Sequence, residues 1–311
     1  MSKALVTGAT GFVGSHLVRR LLRDGFEVHA LCRPASNFWR LHDVASQLRL
    51  HHVSLSDAGG LEALVRAVRP THIFHLAAAT VVAGVAAGAA DLIGANLLGT
   101  VNLIQACDAV DYHGLVTTGD SFEYAPSRVP LGEGDPCRPT SLHGITKLAA
   151  TLHAQAAAQT GGRPIVVLRL FSTYGTYDNP RRLVPRVIAG VLAGTPIQLS
   201  RPEIARDWIH VDDVVDLYLE AGRSGGRLGG QVFNAGSGRA ADLGEIVAKI
   251  LAATGSHAEV RWGVFPAAEH DAFPWIADMR TTFAAFAWRP HIALAEGLRR
   301  TIAAIAEGQG V

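Results

Sequence analysis

Along the first half of the chain, short apolar runs alternate with longer stretches in which apolar residues return every three or four positions. The runs Ala4–Thr7, Glu27–Leu31, Leu48–Val53, His72–Leu76, Gly114–Thr117 and Pro164–Leu170 predict strands. Phe12–Asp24, Leu61–Arg69, Asp91–Ala109 and Leu142–Gln159 carry the helical spacing. Strands alternating with helices predict βαβ crossovers, and therefore an α/β fold with a doubly wound parallel sheet. After Tyr174 the texture changes, and Pro180, Pro185, Pro196 and Pro202 interrupt the pattern. This predicts a core of residues 1–174, rejoined by 205–234, and a smaller substrate-binding lobe from 175–204 and 235–311.

Composition narrows the function classes. A chain of 311 residues with 49% hydrophobic and 18% charged residues is expected to bury a substantial core. Its formal net charge of +1 supplies no field to attract nucleic acid or an anionic membrane, so neither partner is expected. Cys32, Cys107 and Cys137 lie far apart without metal-type spacing, which predicts free thiols in a reducing cytoplasm and no metal. No signal peptide is read at the start, because the apolar stretch Ala4–Val13 already contains a glycine motif. The Ala/Gly-rich run Leu76–Ala90 falls short of the roughly 18–20 residues of a membrane span and suits a loop and a tightly packed helix.

Directly after the first predicted strand come Gly8, Gly11 and Gly14, opening the first predicted helix. Gly8 suits a tight turn, Gly11 a close backbone approach to a pyrophosphate, and Gly14 tight helix–strand packing, with the helix N-terminus facing the phosphates. The second strand ends at Leu31, Cys32 and Arg33, where an NAD-specific site usually places a carboxylate for the ribose hydroxyls. A guanidinium there pairs with a ribose phosphate, so NADP(H) is the expected cofactor.

Lysine occurs only at Lys3, Lys147 and Lys249, and Lys147 follows His143 by four residues. This segment resembles the Tyr-x-x-x-Lys signature of the short-chain dehydrogenases/reductases, with histidine in place of tyrosine. The blocks His75–Ala78, Asn96–Thr100, Arg169–Phe171, Arg206–Asp213, Val232–Gly238 and Trp288–Pro290 extend the likeness nearly end to end. The chain therefore resembles the extended branch of that superfamily, the NAD-dependent epimerase/dehydratase family. The resemblance implies a Rossmann-type core and a cofactor set of Gly8, Thr10, Gly11, Phe12, Val13, Gly14, Arg33, Ser54, Leu55, Leu76, Ala77, Ala78, Lys147 and Phe171. It further implies that Lys147 holds the nicotinamide ribose, and that the absent tyrosine would have moved the carbonyl proton.

Three departures bear on function. His143 replaces the tyrosine; the active-site Ser/Thr slot falls on Asp120, or on Ser121 with a one-residue slip; and Ser172 stands where an asparagine commonly helps hold nucleotide sugars. His143 either donates a proton or shapes the pocket by hydrogen bonding, since neighbouring Lys147 favours the neutral ring. Asp120 is either a base or orienting carboxylate, or a turn residue after Gly119. Asp212 and Asp213 are expected to cap a helix over Val214–Glu220. Arg206 either holds substrate phosphate, as in nucleotide-sugar relatives, or anchors the lobe through an ion pair.

Among relatives without the tyrosine, the chain is similar to atypical polyketide ketoreductases. The expected function is NADPH-dependent reduction of an angucyclinone-like polyaromatic ketone, with the proton coming from substrate or water. Nucleotide-sugar 4-ketoreduction or epimerisation is the first alternative, and a non-catalytic NADP-binding regulator the second. A monomer or homodimer is expected.

Overall fold

The computed structural model describes residues 2–80 and 87–308. Its strands are β1 (Lys3–Thr7), β2 (Glu27–Leu31), β3 (Arg49–His51), β4 (His72–His75), β5 (Gly114–Asp120) and β6 (Ile165–Leu170), followed by β7 (Ser172–Tyr174), β8 (Ile197–Gln198), β9 (Ala205–His210), β10 (Val232–Ala235), β11 (Ala240–Asp242) and β12 (Val260–Arg261). The helices of the first half are α1 (Phe12–Arg23), α2 (Ala58–Val68), α3 (Ala89–Leu92), α4 (Gly99–Cys107) and α5 (Leu142–Gly161). Those of the second half are α6 (Leu183–Ala193), α7 (Val211–Arg223), α8 (Gly225–Leu228), α9 (Leu243–Thr254), α10 (Arg280–Ala285) and α11 (Leu294–Ala306).

Seven strands form a parallel sheet in the order β10-β6-β5-β4-β1-β2-β3. Because β1 lies between β2 and β4, the strand order reverses beside it, which opens a ligand crevice at the carboxyl ends of these strands. The inner strands β1 and β4 are buried on both faces almost throughout, as helix-covered parallel strands must be. Leu61 and Val65 of α2, Leu103 and Ile104 of α4, and Ala154 and Ala158 of α5 share one core with Ile73, Leu115 and Val167. Each large apolar side chain so buried contributes about 1.5–3 kcal/mol.

Several boundaries differ from the sequence expectation. β5 continues past Thr117 to Asp120, because Thr118, Gly119 and Asp120 pair with Leu168, Arg169 and Leu170. Apolar alternation does not mark these residues, and Gly119 and Asp120 are poor strand formers. β3 is shorter than expected, at Arg49–His51. α2 begins at Ala58, three residues before the first expected position, since Asp57 caps it by accepting the Gly60 N–H. Gly59 and Gly60, poor helix formers, hide that start. The helix expected over Asp91–Ala109 is three pieces, α3, a π-helical stretch at Ile93–Leu98, and α4. Within the run Leu76–Ala90, residues 81–86 lie outside the described residues.

The chain divides into two compact units. The first comprises 1–125, 136–170 and 215–233; the second comprises 126–135, 171–214 and 234–311. The division thus falls after Leu170 rather than after 174, the return to the first unit begins at Val215 rather than at 205, and 126–135 goes to the second unit. In the second unit β11, β9 and β7 form a small sheet. Its core gathers Val187 and Ile188 of α6, Ile246 and Ile250 of α9, and Leu298 of α11.

Asp212 and Asp213 do not precede their helix, because α7 starts at Val211. Asp213 is instead buried, accepting the N–H groups of His291 and Ile292 at 3.1 Å each. Among the described residues no helix is long and apolar enough to cross a membrane.

Candidate active site

The turn after β1 is built by its glycines. Gly8 has φ +70°, and a Cβ there would lie 2.6 Å from the backbone of Leu76 and Ala77 at the end of β4. A Cβ on Gly11 would stand 3.0 Å from the Gly8 carbonyl oxygen, and one on Gly14 would overlap that oxygen. The turn can therefore press against both α1 and β4 only while all three positions lack side chains. Gly11 caps α1 with no side-chain hydrogen bond, so the first N–H groups of α1 point outward without an intrahelical partner. A pyrophosphate fits that cradle.

Leu76, Ala77 and Ala78 follow β4, Arg33 follows β2, and Ser54 and Leu55 follow β3. Leu76 donates its N–H to the Thr7 carbonyl at 3.1 Å, and the Ala77 N–H meets the Thr7 hydroxyl at 3.2 Å. Ala78, next in line, is exposed. Thr10, Phe12 and Val13 are half-buried, and the Thr10 carbonyl accepts from Arg40 at 3.4 Å. Past β2, Arg33 is exposed, while the Arg40 guanidinium stacks on Trp39 at 4.2 Å. Beyond β3, the Ser54 hydroxyl pairs with that of Ser56 at 2.8 Å, and the Leu55 carbonyl accepts from Asn102 at 2.8 Å. Phe171 belongs to the second unit, where it is buried and donates its N–H to the Ala235 carbonyl at 3.1 Å.

Beneath the turn runs a buried polar chain. His75 bonds Thr7 through Nδ1 at 2.7 Å and Thr100 through Nε2 at 2.9 Å. Thr100 donates to the carbonyl of Asn96, whose side chain accepts the Ala79 N–H at 2.8 Å and donates to Thr146 at 3.1 Å. Burial, with the charge of Lys147 adding to it, pushes the His75 imidazole down to about 3, so this ring is neutral. Asn96 sits within the π-helical stretch, so that irregular turn supplies the link between β4 and α5.

α5 delivers His143 and Lys147, one helical turn apart. Ser141 caps it by accepting the Gly144 N–H at 3.1 Å, and a Cβ on Gly144 would overlap the Phe122 carbonyl oxygen. Only glycine at 144 lets α5 approach the turn after β5 this closely. Across that approach His143 Nε2 lies 3.2 Å from Asp120 Oδ2. Asp120 Oδ1 accepts the Phe122 N–H at 2.9 Å, so the carboxylate both caps the turn and faces the ring. Burial pushes the Asp120 carboxyl up, but the His143 hydrogen bond, the Phe122 N–H and Lys147 outweigh it and hold it below its ordinary range.

Lys147 is buried and donates to the Thr118 carbonyl. Burial lowers its ammonium despite the nearby charges of Glu123 and Asp120. Ser121 is also buried, as the first residue of the short turn that follows Asp120. The structure thus gathers Asp120, His143 and Lys147 into one cluster at the carboxyl end of β5. Sequence reasoning missed Glu123, which is fully buried and accepts the Asp120 N–H at 2.8 Å, the Thr151 hydroxyl at 3.0 Å and Arg169 Nε at 2.8 Å. The signal was present as Asp120-x-x-Glu123, the spacing of a capping box.

In the second unit Arg206 is ion-paired with Asp271 and donates to the carbonyls of Ala205 and Phe273 at 2.8 and 3.3 Å. Of the two roles expected for it, anchoring is the one it performs here. A separate cavity of about 1230 Å³ in this unit is lined by Trp208, Arg239, Lys249 and Phe283 among others, and by none of the expected site residues. No group of three or more His, Cys, Asp or Glu arranged for a metal occurs among the described residues.

Comparison with known proteins agrees with this architecture. The NAD dependent epimerase/dehydratase family matches residues 4–236. The UDP-glucose 4-epimerase of Mycolicibacterium smegmatis is 30% identical over 309 residues, covering 96% of this chain and 97% of that protein. The crystal structure of UDP-glucose 4-epimerase from Thermotoga maritima with UDP-glucose superposes with a TM-score of 0.89 at 25% identity, over 98% of this chain and 99% of that one. The Thermus thermophilus UDP-glucose 4-epimerase in complex with NAD gives a TM-score of 0.86 at 29% identity, over 97% and 98% of the two chains.

Proposed function

We propose that this chain, which belongs to the NAD dependent epimerase/dehydratase family, is a ketoreductase that uses NADPH to reduce a ketone of an aromatic polyketide. The carrying observation is the pairing of His143 with Asp120 one turn before Lys147. A tyrosine at 143 would offer a phenol to move protons in both directions, as epimerisation and dehydration require. The imidazole offered instead is already bonded to a carboxylate. Ketone reduction needs one hydride and one proton, so it survives loss of a protein acid where repeated proton shuttling does not.

The cofactor is a nicotinamide dinucleotide, which when bound supplies the hydride. Gly8, Gly11 and the start of α1 would hold its pyrophosphate, and Lys147 its nicotinamide ribose. Arg33, exposed past β2 where an NAD site has an acid, favours a ribose phosphate. The proton comes from a phenol adjacent to the ketone. As the carbonyl oxygen gains charge it takes the phenolic proton, leaving a phenolate that solvent reprotonates. An intramolecular donor of this kind has a large effective molarity, on the order of 10⁵–10⁸ M for well-oriented groups.

A second reading, epimerisation or 4-keto reduction of a nucleotide sugar, is favoured by the relatives, which are named for UDP-glucose. Against it, the Arg206 guanidinium is neutralised by Asp271 and Ser172 replaces the expected asparagine. The test offers the protein NADPH with either hydroxylated polyaromatic ketones or 4-keto sugar nucleotides. Turnover of the aromatic ketones alone supports the first reading. Turnover of the keto-sugars alone replaces it with the second, and turnover of neither leaves a non-catalytic binder.

A further inference from the structure

We infer that Asp120 is a positioning residue that fixes His143 in the tautomer protonated at Nε2, leaving the ring with no proton to offer a ketone. Both Asp120 oxygens accept hydrogen bonds, Oδ1 from the Phe122 N–H at 2.9 Å and Oδ2 from His143 Nε2 at 3.2 Å. An ionised carboxylate has no hydrogen to give, so Nε2 must carry the shared one. The other ring nitrogen, Nδ1, is buried and has no partner. A bare lone pair tolerates that position better than an N–H, since a buried donor without an acceptor is the rarer defect.

An imidazolium would create such an N–H at Nδ1. The N–H that this geometry assigns to the ring is the Nε2–H, and it is committed to Asp120. This rests on the ketoreductase reading and deepens it. If residue 143 offers no donor, the enzyme selects ketones that carry an acidic hydroxyl of their own.

The direct test is nuclear magnetic resonance of the full-length protein with ¹⁵N-labelled histidine, correlating ring nitrogens with ring carbon-bound protons. His143 is assigned among the fourteen histidines by comparison with His143→Gln. At pH 7 the expected result is a protonated Nε2 and an unprotonated Nδ1. In Asp120→Asn the Phe122 N–H keeps the amide oxygen at Oδ1, which turns the NH₂ group toward His143. The ring should then switch to Nδ1–H. A wild-type ring protonated at Nδ1, singly or doubly, overturns the inference, as does an Asp120→Asn ring that keeps the wild-type tautomer. Should Asp120→Asn not fold, the wild-type spectrum alone decides. Absence of any ketone reduction would refute the proposed reaction while leaving this tautomer in place; a protonated Nδ1 would do the reverse.

Discussion

Arg169 donates from Nε to Glu123 at 2.8 Å, with side-chain exposures of only 4% and 0%. The second Glu123 oxygen accepts the backbone N–H of Asp120, so this sealed ion pair sets the turn on which Asp120 stands. Removing one member leaves a buried charge uncompensated. Glu123→Gln is expected to lower the unfolding free energy by about 3–5 kcal/mol, read from urea denaturation. A loss under about 1 kcal/mol would show the turn to be held by other contacts.

Histidine burial predicts how stability follows pH. The His75 imidazole is held at about 3 and that of His72 at about 4, both chiefly by burial. The ordinary value is about 6.5. Between those values the unfolded chain binds protons that the folded one does not. The stabilisation is complete above pH 6.5 and is lost as pH falls toward the folded values. From pH 7 to pH 5 each ring should remove about 2 kcal/mol. In His75→Leu that pH slope should shrink by about one proton. An unchanged slope would mean the ring already titrates in the folded protein.

Arg33 should set the preference for the phosphorylated cofactor. Calorimetric titration of NADPH should weaken in Arg33→Ala by roughly ten- to a hundredfold, the worth of about 1.5–3 kcal/mol for a charged hydrogen bond. NADH binding should barely change. Equal wild-type affinity for the two cofactors would refute the assignment.

Lys147→Ala should weaken cofactor binding about tenfold or more and slow turnover, while the melting temperature shows a folded protein. Unchanged binding and kinetics would reduce Lys147 to its bond with the Thr118 carbonyl.

What the sequence revealed and what it hid follow from the range of the interactions. Gly8, Gly11 and Gly14 were legible because a glycine-rich turn after a strand is a local pattern, although the backbone that crowds Gly8 belongs to the distant Leu76 and Ala77. His143 and Lys147 stood out through the resemblance of their segment to the Tyr-x-x-x-Lys signature, and helical spacing put them one turn apart. The bond from His143 to Asp120 was not legible, since it spans 23 residues and depends on the closeness that Gly144 allows. Asp213 was misread as a cap because its partners, His291 and Ile292, lie far along the chain. The π-helical stretch stayed hidden for the same reason, as Asn96 answers to Ala79 and Thr146 rather than to its own helix.

The central claim is that the substrate, and not a side chain, provides the proton. The most direct measurement compares turnover of a hydroxylated polyaromatic ketone with that of the analogue whose neighbouring phenol is methylated, in wild type and in His143→Phe. Methylation should abolish turnover in wild type. His143→Phe should lose less than the roughly hundredfold minimum typical of removing a general acid on the free phenol. Full turnover of the methylated analogue by wild type, together with collapse of His143→Phe, would contradict the account and make His143 the acid.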